Sequence, residues 1–146
     1  DGTELFRASS AWMILDRHSG RPRNLSRLHL NLPPRGHRVL STEISRLRPG
    51  AAYARACTVS VPFSALDFNG HVNNTEYVRW ALDGLHRHLG RSPALRALHA
   101  TYTAAVFAGD EIEVLVATDG DTPIRVLERK TGGAETHVFL LEVLPA

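Results

Sequence analysis

The chain has 146 residues, 43% of them hydrophobic, with 17 Lys plus Arg against 15 Asp plus Glu and a formal net charge of +2. That length and apolar share fit one sizeable core and not two. No apolar run approaches membrane-spanning length, and the single cysteine excludes an internal disulfide. The opening Asp1-Gly2-Thr3-Glu4 lacks the basic and apolar parts of a signal peptide, so a cytosolic location is expected.

In chain order, residues 4–15 read as a strand, and residues 19–50 form a Pro-, Arg- and Gly-marked stretch with weak periodicity. A regular pattern begins with a strand over 56–64, in which alternation puts Cys57 on one face with Val59, Val61 and Phe63. Cys57 is thus expected as a small buried residue, since nothing beside it in sequence depresses a thiol pKa. A helix is expected over 75–89, with Val78, Leu82, Leu85 and Leu89 as its stripe and Tyr77, Trp80 and Ala81 widening the apolar face. Four more strands follow over 98–107, 111–118, 124–129 and 136–143. They are separated by Gly109-Asp110, Asp119-Gly120-Asp121 and Thr131-Gly132-Gly133, at hairpin-like spacings. A strand, a long helix and an antiparallel meander make an α+β domain with its sheet curled around one helix.

The chemistry concentrates between the first regular strand and the helix, in Asp67-Phe68-Asn69-Gly70-His71-Val72-Asn73-Asn74. If this segment is extended, Asp67, Asn69 and His71 share one side and Phe68, Gly70 and Val72 the other. Asn73 or Asn74 can cap the helix, and Glu76 stands three residues after Asn73, as in a capping box. The free helix-start amides would then favour negative charge developing on a carbonyl oxygen beside them. His71 can accept a proton near neutral pH, the Asp67 carboxylate can orient or activate, and Asn69 can hold a water or a carbonyl.

Other chemistries lack their signatures. His86 and His88 sit two apart on the helix, a spacing that does not bring them to one face, so no metal is expected. There is no G-x-S-x-G elbow, P-loop or G-x-G-x-x-G, and no cofactor is expected. The aromatics are not interleaved with the arginines, which argues against nucleic acid as a partner.

The word D-x-N-x-H-V-N-N-x-x-Y-x-x-W, met here from Asp67 to Trp80, resembles the signature of acyl-acyl-carrier-protein thioesterases of the hot-dog fold superfamily. Upstream, the run from Phe6 to Asp16 with Arg21-Pro22 looks like the end of the first of two tandem hot-dog repeats. The resemblance implies the tail of repeat one over 1–18, an arginine-rich linker over 19–55 and the second hot-dog domain over 56–146. It also implies hydrolysis of fatty acyl thioesters of acyl carrier protein, with Asp67, Asn69 and His71 catalytic and the helix start at Asn73 and Asn74 as oxyanion site. The chain departs from that family where an acidic residue usually follows the helix: aligned on Tyr102 and Gly109-Asp110, the position is Ala105.

Nine arginines lie between Arg17 and Arg55 against one acid, Glu43. Under the family reading this basic stretch steers an acidic carrier protein. Two alternatives stand beside carrier-protein hydrolysis: an acyl-CoA thioesterase, and a non-catalytic hot-dog module for assembly or acyl-chain binding. A lone hot-dog unit leaves strand edges open, so a homodimer or pairing with another hot-dog unit is expected.

Overall fold

The computed structural model describes residues 3–16, 18–19, 21–24, 40, 43–50, 52–118, 123–132 and 136–146. It divides into two compact units, Asp1–Ser45 and Arg46–Ala146.

In the first unit the strand expected over 4–15 does not form. A strand needs a paired backbone, and among the described residues only Leu15 finds a bridge, to Pro22. Leu5, Phe6 and Trp12 consequently stand exposed. The bridge closes a small turn organised by Asp16, whose Oδ1 accepts from the backbone N–H of His18 and Ser19 at 3.1 and 2.9 Å. Arg23 pairs with Asp16 at 3.0 Å, and the hydrogen bonds, first that from Ser19 N–H, hold the carboxyl below its ordinary range. Residues 25–39 of the expected linker lie outside the described residues.

The second unit consists of β1 (Ala54–Ser60), a 3-10 turn (Phe63–Ala65), α1 (Asn74–Leu89), β2 (Leu95–Tyr102), β3 (Glu111–Ala117), β4 (Ile124–Lys130) and β5 (Thr136–Pro145). The strands form one antiparallel sheet in the order β1-β3-β4-β5-β2. The expected α+β arrangement of one helix on a curled antiparallel sheet is what forms. No helix of the described residues is long and apolar enough to cross a membrane, which says nothing about membrane β-barrels.

Alternation along the strands decides the two faces. Val114, Val116, Val126, Phe139 and Leu141 join α1 in the main core, whereas Leu115, Leu127 and Leu140 cluster on the other face under Leu47 and Tyr53. The segment from Arg46 to Tyr53 is therefore part of this unit, fixed by Leu47 N–H donating to Thr101 Oγ1 at 3.1 Å. Arg55 lies within β1.

Two expected boundaries and the buried face of α1 shift for local reasons. β1 ends at Ser60, because Pro62 has no N–H to extend the ladder and the chain turns at Phe63, which is exposed instead of facing the core. β2 covers Leu95–Tyr102 and not 98–107, since the N–H groups of Thr103 and Ala104 both converge on Val138 C=O and Val106 C=O turns to accept from Val72 N–H. Along α1 the buried residues are Tyr77, Trp80, Ala81, Gly84 and Leu85, with Val78, Leu82 and Leu89 only partly buried. The stripe is rotated toward Gly84 because a small residue is needed there. A Cβ at Gly84 would lie 2.4 Å from Val114 Cγ1. Of the expected turns, Gly109 and Gly132 hold φ of 85° and 86°, while residues 119–121 and 133 lie outside the described residues.

Candidate active site

The segment from Asp67 to His71 is a closed turn, not the extended strand that would have put Asp67, Asn69 and His71 side by side. Asp67 N–H donates to His71 C=O at 2.7 Å, and Gly70 N–H donates to Asp67 C=O at 3.1 Å. Gly70 supplies the left-handed φ of 76° that such a closure needs and a β-carbon would resist. The Asp67 carboxylate points back into the turn, where Oδ1 accepts from the N–H of Asn69 at 2.8 Å and of His71 at 3.3 Å. Asp67 thus fixes the backbone that carries the other two side chains, and Asn69 and His71 themselves are exposed.

The turn leads directly into α1. Asn73 is the N-cap: its Oδ1 accepts from Thr75 N–H at 3.0 Å and from Thr75 Oγ1 at 2.8 Å. Its own N–H donates to Ala65 C=O at 2.9 Å. The return half of a capping box has no donor left to meet, and Glu76 pairs with Arg79 at 3.2 Å instead. The backbone N–H of Asn73 is therefore spent on Ala65 and that of Thr75 on the cap. Asn74 lies between them as the first helical residue, and its carbonyl accepts from the Tyr102 hydroxyl at 3.0 Å.

A second loop, running from Thr103 to Asp110, braces the first. Val72 N–H donates to Val106 C=O at 2.9 Å, and the Phe107 ring meets the His71 ring edge-on at 5.2 Å. Phe107 is in turn held from below, with Lys130 Nζ 5.1 Å from its ring centroid and its N–H donating to Asp110 Oδ2 at 2.8 Å. Lys130 also pairs with Asp110 at 2.6 Å. Burial pushes the Asp110 carboxyl up, but the Lys130 ammonium and the Phe107 N–H outweigh it and leave the group below its ordinary range. Ala105, at the position where an acid was looked for, is exposed on this same loop. It offers no base.

Beneath the helix start, Tyr77, Tyr102 and Phe139 form an aromatic group with centroid separations of 4.9–5.7 Å. Burial pushes the Tyr77 hydroxyl up to about 12. Next to Phe139 in the sheet register lies Glu128 of β4, fully buried, with no hydrogen-bond partner for either carboxylate oxygen. Desolvation raises its carboxyl well above 4.5. Cys57, expected to be buried, is only partly so and packs at the edge of this core, and desolvation pushes its thiol up, away from nucleophilic use.

This geometry, a His-bearing turn set at a helix start and braced by a second loop, is accompanied by a match over residues 52–138 to the acyl-ACP thioesterase C-terminal domain. The chain belongs to the acyl-ACP thioesterase C-terminal domain family. Three solved structures share the fold. An acyl-ACP thioesterase from Bacteroides thetaiotaomicron superposes with a TM-score of 0.61 at 19% identity, covering 90% of this chain and 53% of that one. 4-Hydroxybenzoyl CoA thioesterase from a Pseudomonas species gives 0.53 at 18% identity, over 64% of this chain and 84% of that one. A Thermus thermophilus thioesterase complexed with coenzyme A and Zn gives 0.53 at 20% identity, over 65% and 84%. No curated protein matches the sequence. The sheet wrapped on one helix is thus the hot-dog fold, and the chain spans about half the length of the Bacteroides enzyme.

Sequence reasoning found the family's turn and cap and missed Phe107, Lys130, Asp110 and Glu128. Lys130 carried a signal, being the only lysine of the chain. Glu128 did too: it shares strand parity with Ile124 and Val126 and so had to face the core. Among the described residues no group of His, Cys, Asp and Glu side chains is arranged to hold a metal ion.

Proposed function

We propose that this chain is the second hot-dog half of a cytosolic thioester hydrolase that releases a free fatty acid from acyl carrier protein. In this reading residues 1–18 are the tail of a first repeat and the basic stretch from residue 19 is the connection, whose last part, from Arg46, is built into the second hot-dog domain. The observation that supports it best is the Asp67–His71 turn, which offers His71 and Asn69 to solvent at the start of a capped helix.

Hydrolysis adds water across the acyl C–S bond, giving a carboxylic acid and a thiol. Asn69 holds the water or the thioester carbonyl by hydrogen bonds. His71 accepts the water proton as its oxygen attacks the carbonyl carbon, and returns a proton to the leaving thiolate. The oxyanion of the tetrahedral intermediate lies against the helix start, where the positive end of the α1 dipole and the Asn74 N–H meet it. Asp67 acts through the backbone, keeping Asn69 and His71 in place. Carrier-protein selectivity over coenzyme A rests on the arginines between Arg17 and Arg55. The open ladders of β1 and β2 at the two sheet edges suit pairing with a second hot-dog unit, from another copy or a tandem repeat.

A second reading, a non-catalytic hot-dog module for assembly or acyl-chain binding, is favoured by one observation, Ala105 in place of an acid. One experiment separates them: free-thiol release from an acyl-carrier-protein thioester and the matching acyl-CoA, with His71→Ala as control. Carrier-selective release that disappears in the variant supports the hydrolase. A folded chain that releases no thiol from either substrate supports the binding module.

A further inference from the structure

The turn from Asp67 to His71 carries the only Asn-Gly pair in the sequence, Asn69-Gly70. The left-handed φ of 76° at position 70 calls for glycine on conformational grounds alone, since a β-carbon there would meet nothing within 4 Å. The same glycine leaves its neighbour open to attack. An asparagine side chain can close onto the backbone nitrogen that follows it. What opposes this in a folded protein is the β-carbon of the next residue and the hydrogen bonding of the two groups, and Gly70 lacks the β-carbon.

Asn69, Gly70 and His71 are all exposed, and the Asn69 side-chain amide has no hydrogen-bond partner among the described residues. The Gly70 N–H is held by Asp67 C=O at 3.1 Å, a surface bond that local opening of the turn breaks. The two asparagines that follow are better protected. Asn73 has its Oδ1 committed to the Thr75 N–H at 3.0 Å and the Thr75 hydroxyl at 2.8 Å, and a residue with a β-carbon follows it. For Asn74 the following nitrogen belongs to β-branched Thr75 and already donates to Asn73.

We propose that Asn69 is a site of spontaneous modification that retires the active-site turn. Gly70 N attacks Asn69 Cγ; the N–Cγ bond forms, the Cγ–Nδ2 bond breaks, and the Gly70 proton departs with the side-chain amide as ammonia. Water then opens the cyclic imide at either carbonyl, giving aspartate or isoaspartate, and no oxidant or other reactant is needed. Either product sets a second carboxylate between Asp67 and His71 and removes the amide that holds the water or the carbonyl. Isoaspartate also lengthens the main chain by one carbon, so the bonds from Asn69 N–H to Asp67 Oδ1 at 2.8 Å and from Gly70 N–H to Asp67 C=O cannot both persist. The modification stands on the turn alone; its effect on turnover rests on the thioesterase reading.

The test holds the full chain in neutral buffer, with a parallel sample unfolded in urea, and digests both at intervals. Mass spectrometry follows the peptide bearing Asn69, Asn73 and Asn74, and isoaspartyl methyltransferase labelling reports the isomer. The folded protein is expected to gain the mass of an amide-to-acid exchange at Asn69, with Asn73 and Asn74 unchanged. Gly70→Asn, which keeps a residue tolerant of the left-handed region, should lose that gain over the same interval. Asp67→Ala, which frees the turn, should hasten it. An intact Asn69 in the folded chain after the unfolded sample has converted overturns the proposal, and so does equal conversion at Asn73. Thioester hydrolysis should fall in step with the converted fraction, and Asn69→Asp should reproduce the loss. A converted sample as active as the fresh one overturns the loss of function. If the fresh protein cleaves no thioester, the hydrolase reading fails and the mass change alone decides the site.

Discussion

Glu128 sits where a carboxylate is least welcome, and replacing it should stabilise the protein. Both oxygens are buried without a partner, and an unsatisfied buried polar group costs about 1–3 kcal/mol. Its pKa is raised in the folded state by desolvation. The folded protein therefore holds this proton more tightly than the unfolded chain, whose carboxyl titrates near 4.5. The associated stability is fully present below that value and is lost as pH rises toward the folded pKa, at about 1.4 kcal/mol per pH unit. Urea denaturation of the wild type, Glu128→Gln and Glu128→Met between pH 4.5 and 8 measures this. The wild type should lose stability relative to the Gln variant across the range, and the Met variant should exceed the wild type at neutral pH by about 1–3 kcal/mol. For a domain of this size that gain corresponds to a Tm rise of roughly 4 °C or more. Parallel pH profiles for wild type and Gln, or a Met variant less stable than the wild type, would show that Glu128 has a partner and refute the reasoning.

Three further outcomes are expected. Gly84→Ala gains about 1 kcal/mol of helix propensity, but its β-carbon would stand 2.4 Å from Val114 Cγ1 and 3.2 Å from its Cβ. A β-branched neighbour on a strand gives little, and overpacking of about 1–3 kcal/mol should win, read as a lower urea midpoint. Lys130→Met removes the cation over Phe107 and the partner of Asp110, costing about 1 kcal/mol. Asp110 contributes stability above its ordinary 3.8 and loses it as pH falls through its depressed value, so the variant's acid sensitivity should shrink. With Phe107 loosened behind His71, thioester turnover should drop on the order of tenfold. Ala105→Glu restores an acid to the exposed loop beside Val106 and should raise hydrolysis; an unchanged rate assigns the base role to His71 alone.

What was legible in the sequence was local. The cap at Asn73 or Asn74, the helix ending near Leu89 and the strands β3 to β5 depend on neighbours a few residues away, and they appear close to where the pattern put them, with Asn73 as the cap. For the segment from Asp67 to His71 the alternation left an extended conformation open, and the sequence did not show which way the loop would close. What closes it is the Asp67 carboxylate on two amides and the long-range bond from Val72 to Val106. The strand expected over 4–15 failed for the complementary reason. Its β-type composition is intrinsic, but pairing is supplied by a partner, and among the described residues only Leu15 finds one, at Pro22. Glu128 lay between these cases: its face was readable from parity, its lack of a partner only from the packed core.

The strand order has a kinetic consequence. Only β3, β4 and β5 are joined to neighbours in sequence, while the edge strands close across the chain, Ala54 meeting Val116 and Leu95 meeting Pro145. Helix α1 and its capped turn can form in microseconds from contacts a few residues apart. The sheet that must cover them waits for two distant closures, which puts its folding toward the slow end for a domain of this size. During that interval the apolar face of Tyr77, Trp80 and Leu85 is open to solvent. The nascent chain is therefore most prone to aggregate after its helix has formed and before β1 and β2 have docked.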